Sequence, residues 1–303
     1  MFKLIDDTNI IIIFIPANHI GIIMNKISIL GCGWLGSKIA SYLIGKGNLV
    51  NGSTTKPRND NFFERNNIRS YIINIQETLE ASHIDAGFFN CDVLILSLTP
   101  SRRESDEGFF VNQVQVCVSL AKQFNVKQVI FISSTSIYGD AAQIATEESE
   151  LNPTLTSGIS LKEAENILRY TTEFNTTILR LGGLIGYDRN PVETVQKQKT
   201  TGSLYVPVNL VHADDVVLII EKIIEKNNYN ETFNAVADKH PLRIQYYEKA
   251  YELTGIAPKP FDGNQNLGFK IIDNTKIKRT LNYEFRLNNP LDIYTYKTLL
   301  TEF

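Results

Sequence analysis

The chain has 303 residues, 43% hydrophobic and 21% charged, with a formal net charge of -3. That is long enough for one large or two modest domains around a substantial core, and it excludes a disordered chain. Lysines and arginines are scattered rather than clustered, which leaves no electrostatic footprint for nucleic acid or an anionic membrane surface.

Cys32, Cys91 and Cys117 are odd in number and lack C-x-x-C spacing, which reads as reduced thiols in a cytoplasmic protein. His19, His83, His212 and His240 lie far apart in sequence without cysteines or carboxylates at ligand spacing, so no structural metal is expected.

Residues 1–23 carry an apolar run, Ile10 to Ile15, that is too short for a membrane span of about 20 residues. Pro16 interrupts it, and Asp6 and Asp7 place the wrong charge ahead of a secretory segment. Met24 leads directly into the first strand and is expected to be the natural start. The residues before it then read as an upstream-start artefact or an added edge strand, and mass spectrometry of the native N-terminus checks this.

Lys26 to Leu30 is a short apolar strand, followed by Gly31-Cys32-Gly33-Trp34-Leu35-Gly36 and an apolar-periodic helix reaching about Gly45. Glycines spaced G-x-G-x-x-G between strand and helix form the dinucleotide-binding fingerprint. Gly31 permits the turn, Gly33 lets backbone approach a diphosphate, Gly36 lets helix pack on strand, and the amides of Trp34 and Leu35 face an anion. A glycine turn that merely joins two packed elements is the alternative.

The second strand is expected over residues 48–55. An Asp or Glu about 20 residues beyond the glycines would bind ribose hydroxyls in an NAD site, but the first acid here is Asp60. Thr54, Lys56 and Arg58 precede it and could hold a 2′-phosphate, which favours NADP over NAD. A solvated loop with incidental charges is the competing reading.

Further strands are expected at residues 68–75, 93–98, 129–134 and 177–181. The continuous apolar runs among them fit strands buried on both faces of a parallel sheet. A helix over about 107–124 carries Phe110, Val114, Cys117, Ala121 and Phe124 on one face, serving a core or a dimer interface. Another is expected at about 160–174. Alternation of strand and helix gives an α/β fold, a doubly wound parallel Rossmann sheet with ligand at the carboxyl ends of its strands. Leu98, Thr99 and Ser133, at two of those ends, join the cofactor set.

Past Gly182 the alternation loosens. A polar stretch spans 187–201, then come a strand-like 205–210, a helix at 214–226, a strand at 232–236, and helices near 244–254 and 290–300. This reads as a dinucleotide-binding domain over 24–181 and a smaller, mixed substrate-binding domain over 182–303.

Four ordered segments carry a resemblance: the glycine turn, Phe131 to Gly139, Leu179 to Gly186, and Val208 to Asp215. Together they resemble the extended short-chain dehydrogenase/reductase family, which includes nucleoside-diphosphate-sugar epimerases. The resemblance covers Lys26 to roughly Tyr283. It implies an oxidoreductase or epimerase-like activity on a small or nucleotide-sugar-like substrate. Its hydride chemistry uses a Tyr-x-x-x-Lys pair, in which phenolate exchanges the proton of a substrate hydroxyl.

Here that pair is absent. One register puts Ser157 and Leu161 in the two slots, the other Gly158 and Lys162. The chain thus resembles an atypical member of the family, and a non-catalytic dinucleotide-binding sensor or scaffold is the alternative. Ser134 matches the family's substrate-hydroxyl-binding position, or caps backbone at a strand end. Tyr138 is the nearest phenol by motif and is expected at the mouth of the cleft, where packing or substrate binding is the alternative to acid–base work. These two are the candidate catalytic residues. Arg180 holds a ligand phosphate or pairs with a carboxylate, and His212 bridges the two domains structurally, as its family counterpart does. Asp214 and Asp215 read as acids favoured by a helix dipole, Tyr187 to Arg189 as a substrate loop or a solvated one, and Cys32 as a redox-sensitive or merely packed thiol.

Overall fold

The computed structural model describes residues 24–75, 85–100, 108–140, 143–189, 203–255 and 268–300. Residues 1–23, most of the expected loop over 187–201 and the end of the chain lie outside them. Strands β1 (Lys26–Leu30), β2 (Leu49–Thr54), β3 (Arg69–Ile72), β4 (Val93–Leu96), β5 (Gln128–Ser134), β7 (Asn175–Leu181) and β10 (Thr232–Ala235) form one sheet. Its order is β10-β7-β5-β4-β1-β2-β3, with every pair parallel. Register aligns the carboxyl ends: Leu30 faces Leu96, Leu96 faces Phe131, and Ser134 faces Leu181.

Helices cover both faces because apolar strands of this kind must be shielded on each side. One face buries Leu35, Ile39 and Leu43 of α1 (Trp34–Gly45) with Val216, Ile219, Ile220 and Ile223. Those last four belong to the helix at Ala213–Lys226, numbered α6 below. The short α2 (Phe62–Arg65) adds Phe62 and Phe63 to that layer. On the other face, the short α3 (Ala86–Phe89) and α4 (Phe109–Gln123) pack with α5 (Thr156–Arg169). The apolar face of α4 therefore lies in the core, through Phe110, Val114, Cys117 and Ala121.

At the carboxyl end two small parallel sheets cap this frame: β8 (Gly183–Ile185) with β9 (Leu210–His212), and β6 (Gln143–Ala145) with β11 (Lys270–Ile272). Helices α7 (Arg243–Thr254) and α8 (Thr275–Leu281) complete the described elements used below. No described helix is long and apolar enough to cross a membrane.

Three expectations change. The strand at Thr232–Ala235 is not part of a separate C-terminal unit: it pairs with β7 and forms one edge of the central sheet, and α6 packs into the same core as β1. The strand expected at 205–210 begins only at Leu210. Finally, residues 290–300 form a short turn at Pro290–Asp292 rather than a helix. Tertiary partners take over backbone groups that a helix would have paired: the Leu299 amide donates to the Asp214 carboxylate at 2.7 Å.

Candidate functional site

The glycine turn closes as its spacing requires. Gly31 adopts φ +101°, and a Cβ there would stand 2.6 Å from the Ser97 carbonyl oxygen. At Gly36 a Cβ would collide with the Gly31 carbonyl oxygen, so α1 can approach the turn only without a side chain. Gly33 differs from both: a Cβ would meet nothing within 4 Å. No side chain caps the start of α1, so the amides of Trp34, Leu35 and Gly36 are the helix's open donors. Space at Gly33 and uncapped amides beside it fit the diphosphate of a dinucleotide.

The loop after β2 folds back over this turn. Arg58 Nη1 donates to the Cys32 carbonyl at 3.0 Å and to Ser37 Oγ at 2.8 Å, and its Nε donates to Asp60 Oδ1 at 3.0 Å. The Arg58 hydrogen bond is the main reason the Asp60 carboxyl is held down to about 2. Thr54 Oγ1 donates to the Lys56 carbonyl at 2.8 Å, while the Lys56 side chain is exposed. Leu98 stands next to Gly31 and Thr99 is exposed. Leu35 turns its side chain into the core, leaving only its amide to a ligand.

A cleft of 810 Å³ opens beyond the carboxyl ends of β5 and β8, with Ser134, Ser136, Arg189, Arg243, Tyr247 and Lys270 among its lining residues. Ser134 lines the cleft, and its Oγ accepts the Ser136 amide at 3.2 Å, the backbone-capping role expected of it. Tyr138 is corrected in place, since it lies below the cleft and not at its mouth, and resolves toward its packing alternative. It has no exposed surface, and its hydroxyl donates to Asn234 Oδ1 and accepts from Arg180, both at 2.7 Å. Burial pushes its pKa up, more than the neighbouring Arg180 lowers it. A phenol so enclosed and so committed is a structural group.

Arg180 resolves toward its pairing alternative. It is 1% exposed and binds both oxygens of Glu165, itself 0% exposed, with the closest contact at 2.7 Å. Ser133 is corrected by the same network, since its hydroxyl donates to Glu165 Oε1 at 2.6 Å and is withdrawn from any cofactor. The usual tyrosine and lysine slots hold Ser157 and Leu161 in one register and Gly158 and Lys162 in the other, with no phenol in either. Gly158 packs against the Ser136 carbonyl, Leu161 is buried, and Lys162 donates to the Leu151 carbonyl at 2.8 Å. Cys32 is a packed thiol, pushed up to about 12 by burial. No described group of three or more His, Cys, Asp or Glu residues could hold a metal.

Sequence reasoning missed what Asp214 and Asp215 do beyond the helix dipole. Asp214 accepts from the hydroxyls of Tyr187 and Tyr296, and Asp215 accepts from the Tyr283 hydroxyl and the Arg286 and Leu287 amides. Two adjacent acids at the start of α6 thus clamp the loop after β8 and the chain's last described segment. Only a Tyr-rich C-terminal stretch hinted at partners for them. His212 lies between Tyr187 and Tyr296, with ring centroids 5.7 and 4.4 Å away.

The His212 Nδ1 accepts the Asp214 amide at 3.1 Å, which puts the proton of the neutral ring on Nε2. Burial lowers its pKa below 6.5. A histidine whose folded pKa is depressed contributes stability above the unfolded value of about 6.5 and loses it as pH falls. Urea unfolding between pH 7 and 5 is therefore expected to fall more steeply for the wild type than for His212→Asn, which keeps a capping oxygen. Equal slopes would contradict the assignment.

A model of the NAD dependent epimerase/dehydratase family matches residues 27–235. Protein YeeZ of Escherichia coli K12 is 32% identical over 271 residues, spanning 88% of this chain and 98% of YeeZ. Among solved structures, a UDP-glucose 4-epimerase with UDP-glucose from Thermotoga maritima is similar with a TM-score of 0.72 at 20% identity, over 89% of this chain and 98% of that one. A UDP-glucuronic acid 4-epimerase from Bacillus cereus in complex with NAD gives 0.72 at 15% identity, over 88% and 94%. At these identities the two structures carry the likeness of fold.

Proposed function

The chain belongs to the NAD dependent epimerase/dehydratase family, and from that premise we propose that it is an NADP-binding oxidoreductase or epimerase-like enzyme with a non-standard proton donor. The observation that carries this reading is the pairing of open space at Gly33 with the uncapped first turn of α1. Those amides would hold the diphosphate. When bound, the dinucleotide supplies or accepts a hydride at its nicotinamide carbon.

The protein's own part is binding and positioning. Ser134 would hydrogen-bond a substrate hydroxyl in the cleft, with its other interaction fixed by the Ser136 amide. Arginine and lysine side chains around that cleft favour an anionic, nucleotide-sugar-like substrate. A serine hydroxyl alone is too weak an acid to replace a phenol at neutral pH. Tyr246 and Tyr247 line the cleft wall and bring phenols there, where Tyr138 does not.

Arg58 supports NADP because its guanidinium, held at the edge of the glycine turn, puts a positive charge where a 2′-phosphate would lie. Asp60 already occupies part of that fork, and NAD is the alternative it favours through its carboxylate. Arg58→Ala is expected to weaken NADP binding about 10-fold, the worth of one charge-assisted contact, with NAD affected far less. Equal loss for the two nucleotides, measured by calorimetry, would overturn the NADP assignment.

A second reading, a dinucleotide-binding sensor without turnover, is favoured by the enclosure of Tyr138 and by Ser157 and Leu161 in the catalytic slots. Incubation with NADPH and a panel of ketones and nucleotide sugars separates the two. Consumption of NADPH by any substrate, lost in Ser134→Ala, supports the enzyme; tight binding with no turnover supports the sensor.

A further inference from the structure

Arg189 stands where the glycine turn and the cleft meet. It lines the cleft, and its guanidinium carbon lies 3.9 Å from the centroid of the Trp34 ring. Trp34 is the first residue of α1, and helical side chains lean toward the helix N-terminus. Its indole thus stands beside the uncapped amides. The ring is held from other directions as well: Nε1 donates to Asp188 Oδ1 at 2.5 Å, and the Lys38 ammonium lies 4.4 Å from the ring centroid.

The turn that carries Asp188 and Arg189 is itself fixed. The Arg189 amide donates to the Gly186 carbonyl at 3.0 Å, and Tyr187, at φ +55°, bonds the Asp214 carboxylate. Gly186 packs so closely on His212 that a Cβ would collide with the imidazole. Arg189 is exposed at its end, but the backbone that presents it is anchored on a buried histidine and a buried aspartate. Its adjoining carboxylate, Asp188, accepts the indole N–H and shares its charge between Lys38 and Arg189, so its hydrogen bond is made to the platform and not to the guanidinium fork.

We propose that Arg189 grips the diphosphate of the dinucleotide bound at the glycine turn, with Trp34 as the platform that aims it. This rests on the dinucleotide reading of the glycine turn and extends it: the loop after β8 contributes a cation to the cofactor site. A diphosphate held by backbone amides on one side and a guanidinium on the other joins that loop to α1. Cofactor binding then fixes one wall of the substrate cleft.

Trp34 is the chain's one tryptophan, so its emission reports on this contact directly. Full-length wild type, Arg189→Gln and Arg189→Lys are titrated with NADP+ and NAD+, following calorimetric heat and Trp34 emission. Adenosine 2′-monophosphate, which lacks the diphosphate, is the comparison ligand. The expected result is a loss of about 10-fold or more in dinucleotide affinity for Arg189→Gln, most of it restored by Arg189→Lys. Binding of the monophosphate stays as in the wild type.

Arg189→Gln binding both dinucleotides as tightly as the wild type would overturn the proposal while leaving the glycine-turn reading intact. An equal loss for the monophosphate would also overturn it, by assigning Arg189 a purely structural part. Failure of the wild type to bind either dinucleotide removes the glycine-turn reading and this proposal with it.

Discussion

Gly33→Val is expected to weaken dinucleotide binding about 100-fold while leaving the melting temperature close to that of the wild type. The two glycines flanking the turn set the contrast. A side chain at Gly36 would collide with the Gly31 carbonyl oxygen and separate α1 from the strand it packs on. Gly36→Ala should therefore destabilise the protein by about 3 kcal/mol, at the upper end of overpacking costs. Gly33 has no protein atom within 4 Å of a built Cβ, and its φ of -76° lies outside the left-handed region. No neighbouring atom requires the lack of a side chain there, and it leaves the approach to the α1 amides clear. Valine there should cost about 100-fold in affinity, or about 2.8 kcal/mol. Thermal unfolding and nucleotide titration of both variants give the test. Gly33→Val binding like the wild type would mean that the ligand does not lie against that backbone.

The second large effect is expected beneath the cleft. Glu165→Leu should destabilise the fold by about 3–5 kcal/mol, because it leaves the buried Arg180 guanidinium without its counter-charge. Ser133 loses its acceptor at the same time. Arg180 also donates to Tyr138 and to the Glu147 carbonyl at 3.2 Å, and Glu147 accepts the Asn234 amide at 2.7 Å. One charged pair thus ties β5, β7, α5 and β10 together under Ser134. The double variant Glu165→Leu/Arg180→Met should recover much of the loss, since removing both charges abolishes the desolvation cost along with the attraction. Urea denaturation of the two single variants and the double variant measures the coupling. Strictly additive losses would show that the pair acts as independent groups.

The glycine turn and the strands of the parallel sheet were legible because each rests on local signals: spacing of residues without side chains, and unbroken apolar runs. What depends on distant partners was not. Tyr138 follows a strand end in sequence, which suggested a cleft-facing phenol. Only its contact with Asn234, remote in the chain, shows that it turns inward. Ser133 and Ser134 are adjacent and chemically alike, yet strand alternation sends one hydroxyl to Glu165 and the other to the cleft wall. The stretch 290–300 has apolar residues enough for a helix, but the acceptor for its Leu299 amide is Asp214 on α6. β10 is legible as a strand, but its place beside β7 at the edge of the central sheet is not, because pairing partners cannot be read from a single run of residues. The stacking of Arg189 on Trp34 had no local signature at all.

Calorimetric titration of the purified wild type with NADP+ and with NAD+ tests the central claim most directly. Saturable binding of one equivalent, tighter for NADP+ than for NAD+, is the predicted result. No heat of binding from either nucleotide up to millimolar concentration would contradict the account and leave the architecture alone standing.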